Sequence, residues 1–410
     1  MEARRRVLVL AYFFPPLGGA GVQRTLKFVR YLEPLRWDAT VITTSSRAYT
    51  ARDPSLLDEI PAATRVIRVR SFPLLGWIGA IAGRLGQRWL RDWALWPDGG
   101  KGWAPFAFFA ALREIRRERP DVIFSTSAPY GAHLAAMRAA RRTGIPWVAD
   151  FRDEWAWNPY SADRTILSAL TRRVERAVTT TAQHVVVAAD YFRLEGPEPD
   201  DRRRTVILNG VDEDDLPEVG LPEPTTNFVL AHIGTVYEGF DPTPVLRVLA
   251  DLIERGEVDG KRVEVRFTGS IWIEGFQPPP VIRFDRTGYV DHAKAVAEMR
   301  SATALLLYRP SSSLAPSGKL FEYLASGRPL LCVVRPDNLA SRIVRDWDAG
   351  VVADPANEAE IEEAILTLWR RWTADGLPDQ LEVRRRTLQE YSRPAGAAQL
   401  AAVLEEATYG

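Results

Sequence analysis

Four charged side chains in the segment GIPWVADFRDEWAWNPY carry the first chemical signal. Asp150, Arg152, Asp153 and Glu154 stand at the end of the apolar run WVADF and interleave with Trp155 and Trp157. Aromatic faces pack against the C–H groups of sugars while carboxylates and a guanidinium hold hydroxyls and phosphate, so the segment suits a sugar site. The same residues also suit a structural ion pair capping the next helix. Asp150, Arg152 and Asp153 are the candidate catalytic residues.

The second signal is APSGKLFEYLASGRPLL, in a chain with five lysines against forty-eight arginines. After the Pro-Ser-Gly turn, Lys319 falls in the first turn of a predicted helix, where an ammonium joins the unpaired helix N–H groups in meeting phosphate. Glu322, one turn further, is placed to accept hydrogen bonds from two vicinal ribose hydroxyls; a solvated helix start is the plainer alternative. A third signal is the strand VLVLA followed at once by YFFPPLGGAGVQ. Gly18 and Gly19 let backbone approach a ligand closely at a helix N-terminus, which favours a phosphate or diphosphate, or else form a purely structural turn. The dinucleotide fingerprint is not met, because no third glycine follows at the required place and the second strand ends VITT without an acidic residue.

Other chemistry finds little support. The run DEDD (212 to 215) has an Asp-x-Asp spacing that can hold a divalent metal, but it opens a proline-rich acidic stretch and reads as solvated surface. His133, His184, His232 and His292 are dispersed and make no metal-ligand pattern. No Walker sequence or Gly-x-Ser-x-Gly elbow occurs. The expectation is no metal and no cofactor.

The elements that would position these residues alternate short β-rich runs with amphipathic stretches. The first series has runs at 7–11, 39–43, 65–69, 122–126, 147–151 and 184–189; the second has them at 228–234, 263–269, 304–308, 329–334 and 350–354. Such alternation predicts parallel sheets with crossover helices, an α/β fold whose ligands sit outside the carboxyl ends of the strands. Between the series lies VDEDDLPEVGLPEPTTN, with six acidic residues, three prolines and no basic residue, the best linker candidate. With 410 residues and 46% apolar side chains, two domains with full cores are expected.

Net charge is zero, 53 basic against 53 acidic residues, so no global field recruits nucleic acid or an acidic membrane. Cys332 is the sole cysteine and sits in the buried-strand run LLCVV, which suits a reducing cytoplasm. No apolar run approaches the roughly 18 to 20 residues that cross a bilayer, and no signal peptide is recognisable at the N-terminus. One region departs from neutrality: residues 61–120 hold eleven basic and four acidic residues, and 72–119 contains Trp77, Trp89, Trp93, Trp96 and Trp103. The stretch suits an element lying in the membrane interface, or tryptophans filling a core or acceptor cleft beside solvated arginines.

Taken in order, VLVLAYFFPPLGGAGVQRTLKFVRYL, PWVADFRDEW, VILNGVDEDDL, LAHIGTVYEG, TGYVDHAKAVAEMRSATALLL and SGKLFEYLASGRPLL resemble the retaining, nucleotide-sugar-dependent glycosyltransferases of the GT-B fold, family 4-like, group 1. The resemblance spans nearly the whole chain. It implies two Rossmann-like domains facing a cleft, 1–208 on the acceptor side and 209–385 on the nucleotide side, with 386–410 crossing back to the first. It assigns Gly18 and Gly19 to the donor diphosphate loop, Lys319 to the phosphates, Glu322 to the ribose, Gly234 to the first loop of the nucleotide domain, and Asn209 and Gly210 to the hinge. Three positions differ from the family pattern. Leu314 replaces a glutamate that reaches the donor sugar, Arg152 stands where a histidine is usual, and the basic pair after Gly234 is missing from GTVYEGFDP.

The implied function is transfer of a sugar from a nucleoside diphosphate sugar to the hydroxyl of a glycan, a lipid-linked glycan or a natural product, in the cytoplasm or peripherally on the inner face of the plasma membrane. Donor and acceptor would be the partners, with nucleic acid excluded. A sugar-nucleotide 2-epimerase of the same fold and a non-catalytic sugar-nucleotide binder are the alternatives.

Overall fold

A computed structural model describes residues 4–18, 20–45, 52–72, 102–157, 166–196, 203–216, 226–237, 240–309, 319–377 and 379–409, with positions 78, 81, 84, 96 and 98. The chain divides into two compact units, 1–209 with 393–410, and 210–392.

In the first unit, β1 (Arg5–Ala11), β2 (Trp37–Thr44), β3 (Arg65–Val69), β4 (Val122–Thr126), β5 (Trp147–Phe151), β6 (His184–Val187) and β7 (Arg204–Val206) form one sheet in the order β3-β2-β1-β4-β5-β6-β7. Every pairing is parallel. Both faces of the central strands are covered, which is why β1, β4, β5 and β6 are buried along most of their length, while the edge strands β3 and β7 are not. Along β1, Leu8 and Leu10 enter one core while Val7, Val9 and Ala11 enter the other. The first core takes side chains from helices Ala104–Glu118, Gly131–Thr143 and Ile166–Thr181. The second takes them from Ala20–Leu32 and the terminal helix Arg393–Tyr409.

In the second unit, β8 (Phe228–Ile233), β10 (Val263–Thr268), β12 (Phe284–Gly288), β13 (Ala304–Tyr308), β14 (Leu330–Val333) and β15 (Gly350–Ala353) form a sheet in the order β12-β10-β8-β13-β14-β15. β9 (Val236–Tyr237) and β11 (Ile271–Trp272) pair separately. Its core is filled from helices Thr243–Glu254 and Glu358–Asp375. Cys332 is buried in β14, and burial pushes its thiol up to about 12, so it is inert packing. No described helix is long and apolar enough to cross a membrane.

Candidate functional site

In each sheet the order reverses once, between β1 and β4 in the first unit and between β8 and β13 in the second. Connections leaving such neighbours diverge, opening a crevice at the carboxyl ends where ligands of these sheets dock.

In the first unit Asp150, on β5 beside Thr126, is completely buried. Its Oδ1 accepts from Arg24 Nη2 at 2.7 Å, and its Oδ2 accepts from Arg24 Nε at 3.1 Å and Thr126 Oγ1 at 2.7 Å. Arg24, 2% exposed, reaches the Leu208 carbonyl and Asn209 Oδ1 at 3.3 and 3.4 Å and lies over the Phe28 ring at 4.7 Å. Asp150 is thus a buried structural ion pair, with a partner on helix Ala20–Leu32. Pairing is what permits two charges to be buried here.

Arg152 fastens a different set of backbone groups. It donates to the carbonyls of Ser127, Ala128 (2.6 Å) and Gly21, tying the loops after β4 and β5 to the start of helix Ala20–Leu32. Three of its five N–H groups are committed in this way. Burial lowers its pKa, opposed by Asp150 and Asp153. Asp153, by contrast, is exposed.

The two tryptophans of this loop part company. Trp155 is buried and stacks on Tyr130 at 4.3 Å with planes 5° apart, while the Tyr130 hydroxyl donates to the Glu154 carbonyl at 2.9 Å. Trp157 is exposed, with the Arg193 guanidinium over its ring 6.0 Å from the centre. Behind the loop, Glu175 on helix Ile166–Thr181 is buried. Its Oε2 accepts from the Glu195 N–H at 3.4 Å, and its Oε1 has no hydrogen-bond partner among the described residues. Burial lifts its pKa to about 8, with the charges of Glu195 and Glu154 adding to the shift and backbone amides opposing it.

His133 shows the same economy of internal pairing. Ser125 Oγ accepts from Trp147 Nε1 at 2.8 Å and makes a second hydrogen bond, with His133 Nδ1, at 2.8 Å. Burial lowers that histidine to about 3. Gly18 is buried, and a Cβ there would sit 3.3 Å from Asp53, whose N–H donates to the Pro16 carbonyl at 3.0 Å. Gly19 lies outside the described residues.

In the second unit the helix Lys319–Ser326 begins beside the end of β8. Lys319 Nζ donates to the Ile233 carbonyl, and the Tyr323 hydroxyl accepts the Ile233 N–H at 2.8 Å. Gly234 follows at φ +140°, where an L side chain is strained, and a Cβ there would collide with the Lys319 ammonium. A Cβ on Gly269 would in turn strike the Gly234 carbonyl. The dihedral angle therefore favours glycine at 234, and the end of the flexible Lys319 side chain takes the space a side chain there would fill. Burial lowers Lys319 to about 8; Glu322 opposes the shift and the Arg309 charge adds to it. Glu322 is half-buried one turn along. Leu314 and Ser311 to Ser313 lie outside the described residues.

Neither His232, whose Nδ1–H donates to the Leu306 carbonyl at 3.1 Å, nor His184, at 2.9 Å from Thr205 Oγ1, has a histidine or carboxylate partner in these bonds. In DEDD, Asp212 caps a short turn by accepting the Asp214 N–H at 3.2 Å. Among the described residues no cluster of three His, Cys, Asp or Glu has metal-holding geometry. Arg24, Tyr130 and Glu175 escaped the sequence reading. An arginine in an amphipathic helix looks solvated, and Asp150 is 126 residues away from it.

Comparison with known proteins agrees with this architecture. Residues 18–215 match the family model of Glycosyltransferase Family 4. No curated protein sequence matches the chain. Among solved structures, a glycosyltransferase from Rickettsia africae is 13% identical with TM-score 0.65, covering 99% of both chains. An α,α-trehalose-phosphate synthase (UDP-forming) from Burkholderia xenovorans, in complex with glucose-6-phosphate, is 11% identical with TM-score 0.63, covering 98% of this chain and 100% of its own. S. aureus TarM, in complex with fondaparinux, α-GlcNAc-glycerol and UDP, is 9% identical with TM-score 0.61, covering 98% and 99%. Residues 18–215 thus carry the Glycosyltransferase Family 4 pattern, and the chain has the two-sheet GT-B fold over its full length.

Proposed function

We propose that the protein transfers a sugar from a nucleoside diphosphate sugar to the hydroxyl of a glycan, a lipid-linked glycan or a natural product, with retention at the anomeric carbon and no metal ion. The observation that carries this reading is the Gly234–Lys319 pair at the crevice of the second unit. A departing diphosphate gathers negative charge in the transition state. A desolvated ammonium beside helix N–H groups stabilises that charge most when it is greatest. Arg309 adds positive charge nearby.

Glu322 would accept the ribose hydroxyls, and Gly18 and Gly19 are the residues that the family resemblance gives to the diphosphate loop. Retention follows the family that the motifs resemble. In a same-face transfer the leaving phosphate oxygen can take the acceptor proton, so no separate base is required. Asp150 and Arg152 hold the loop that presents the acceptor, and exposed Asp153 orients its hydroxyl or offsets positive charge on the sugar ring. Neither aspartate is assigned as a covalent nucleophile. Work at the inner face of the plasma membrane fits a lipid-linked acceptor.

Incubation with a panel of nucleotide sugars and acceptors, following nucleoside diphosphate release, tests this reading. Acceptor-dependent release is expected. A rearranged sugar nucleotide without acceptor would mark an epimerase, and binding without turnover a non-catalytic protein. Arg152→Ala and Asp153→Asn should lower kcat far more than donor affinity, because their loop belongs to the acceptor-side unit. Wild-type kcat in both folded variants would contradict that placement.

A further inference from the structure

The helix Ala104–Glu118 turns one face to the core and leaves the other uncovered. Ala107, Ala111 and Ile115 are buried in the first unit's core together with Trp103. At about 100° per residue, Phe106, Phe109, Arg113, Arg116 and Arg117 fall within roughly 100° of one another on the other side. All five are exposed, Phe106 at 41% and Phe109 at 67%. The rings occupy the first turns and the arginines the last, a stripe about 15 Å long.

Phe72, 52% exposed, adds to the apolar end, since its N–H donates at 3.0 Å to the carbonyl of Gly102, two residues before the helix begins. Arg117 is paired with Glu118 at 3.0 Å, whereas no described carboxylate pairs with Arg113 or Arg116. Two other parts of the basic stretch face inward. Trp103 is fully buried, and Trp96 donates to Thr171 Oγ1 at 2.9 Å; Trp77, Trp89 and Trp93 lie outside the described residues.

The helix leads into β4, so its phenylalanine end lies at the carboxyl edge of the sheet, the edge of Arg152 and Asp153. Trp103, just before it, meets Tyr12 edge to face at 5.6 Å in the loop after β1. Exposed rings followed by a row of arginines, in a stretch with a surplus of seven positive charges, match an anionic bilayer in both layers at once.

We propose that this stripe docks the protein on an anionic lipid surface. Phe72, Phe106 and Phe109 enter the boundary between headgroups and acyl chains, and Arg113 and Arg116 meet the lipid phosphates. The proposal deepens the proposed function by naming a lipid-borne acceptor, and rests on that reading only for its purpose.

The test is co-sedimentation of the full chain with phosphatidylcholine vesicles, with and without phosphatidylglycerol, at low and high salt. Binding to the phosphatidylglycerol vesicles at low salt, fading with salt, is expected. Phe109→Asp, and the double change Arg113→Glu with Arg116→Glu, should each weaken it by about tenfold or more. All these side chains are exposed, so thermal melting should be unchanged. Absence of binding at low salt, or undiminished binding by both variants, overturns the proposal. So does a wild-type dimer that Phe109→Asp turns into a monomer, which would assign the face to a second copy. Turnover on a water-soluble acceptor should be the same in wild type and variants. A failure of docking therefore leaves the transferase reading standing, and an absence of turnover leaves the vesicle result standing.

Discussion

The crevices of the two units stand on the same kind of strand reversal but spend their charge differently. In the first, Arg24 and Asp150 satisfy each other in the interior, and Arg152 is committed to three carbonyls. In the second, one compact ammonium stands in the side-chain space of a glycine, its charge made costly by burial. Charge in the first crevice builds a loop; charge in the second, under the proposed function, would meet the donor diphosphate. A motif rich in charges is therefore not by itself the place where a charged ligand binds.

The largest expected effect separates the two uses. Arg24→Ala leaves the Asp150 carboxylate buried without its partner and should cost about 3 to 5 kcal/mol in urea unfolding. A loss under about 1 kcal/mol would mean that the pair is not structural. A smaller effect of opposite sign is expected at Glu175. Its folded value of about 8 lies above the ordinary 4.5, so the proton it retains stabilises the fold fully below about pH 4.5 and progressively less as pH rises to 8. Glu175→Gln has no proton to lose. It should gain about 3 kcal/mol on wild type between pH 4.5 and 7, and parallel stability profiles would refute the buried acid.

Much of this arrangement is legible in the residues, and the remainder is not for physical reasons. The runs 122–126, 147–151 and 304–308 read as strands and are strands, because buried parallel strands carry inward-facing residues on both faces; 65–69, RVIRV, is also a strand, at the sheet's edge and without a buried residue. Phe284–Gly288, FDRTG, has a single apolar residue, and its pairing with β10 makes it a strand. A strand end told where Asp150 and Arg152 would lie, and the turn that opens a helix told where Lys319 would. They did not reveal that Asp150 meets Arg24, because that contact depends on how a distant helix crosses the sheet. Trp155 and Trp157 were equal candidates for a sugar platform, and only packing separates the one stacked on Tyr130 from the one left exposed.

The smallest expected effect is a pH dependence. Burial lowers the pKa of Lys319 to about 8 before nucleotide binds, and a bound diphosphate favours its charged form. Nucleotide affinity should be flat from pH 7 to just below 8 and then fall by up to about tenfold per pH unit, since only the protonated lysine binds well. In Lys319→Met that fall should vanish; its persistence would assign the titration to another group.

The most direct test of the central claim, that the second unit's crevice holds the donor nucleotide, is calorimetric titration of wild type, Lys319→Ala and Glu322→Ala with UDP and GDP near pH 7. For whichever nucleotide binds the wild type, each variant should bind more weakly by about 1 to 3 kcal/mol, the loss expected for a charge-assisted hydrogen bond. Unchanged affinity in both variants would contradict the account.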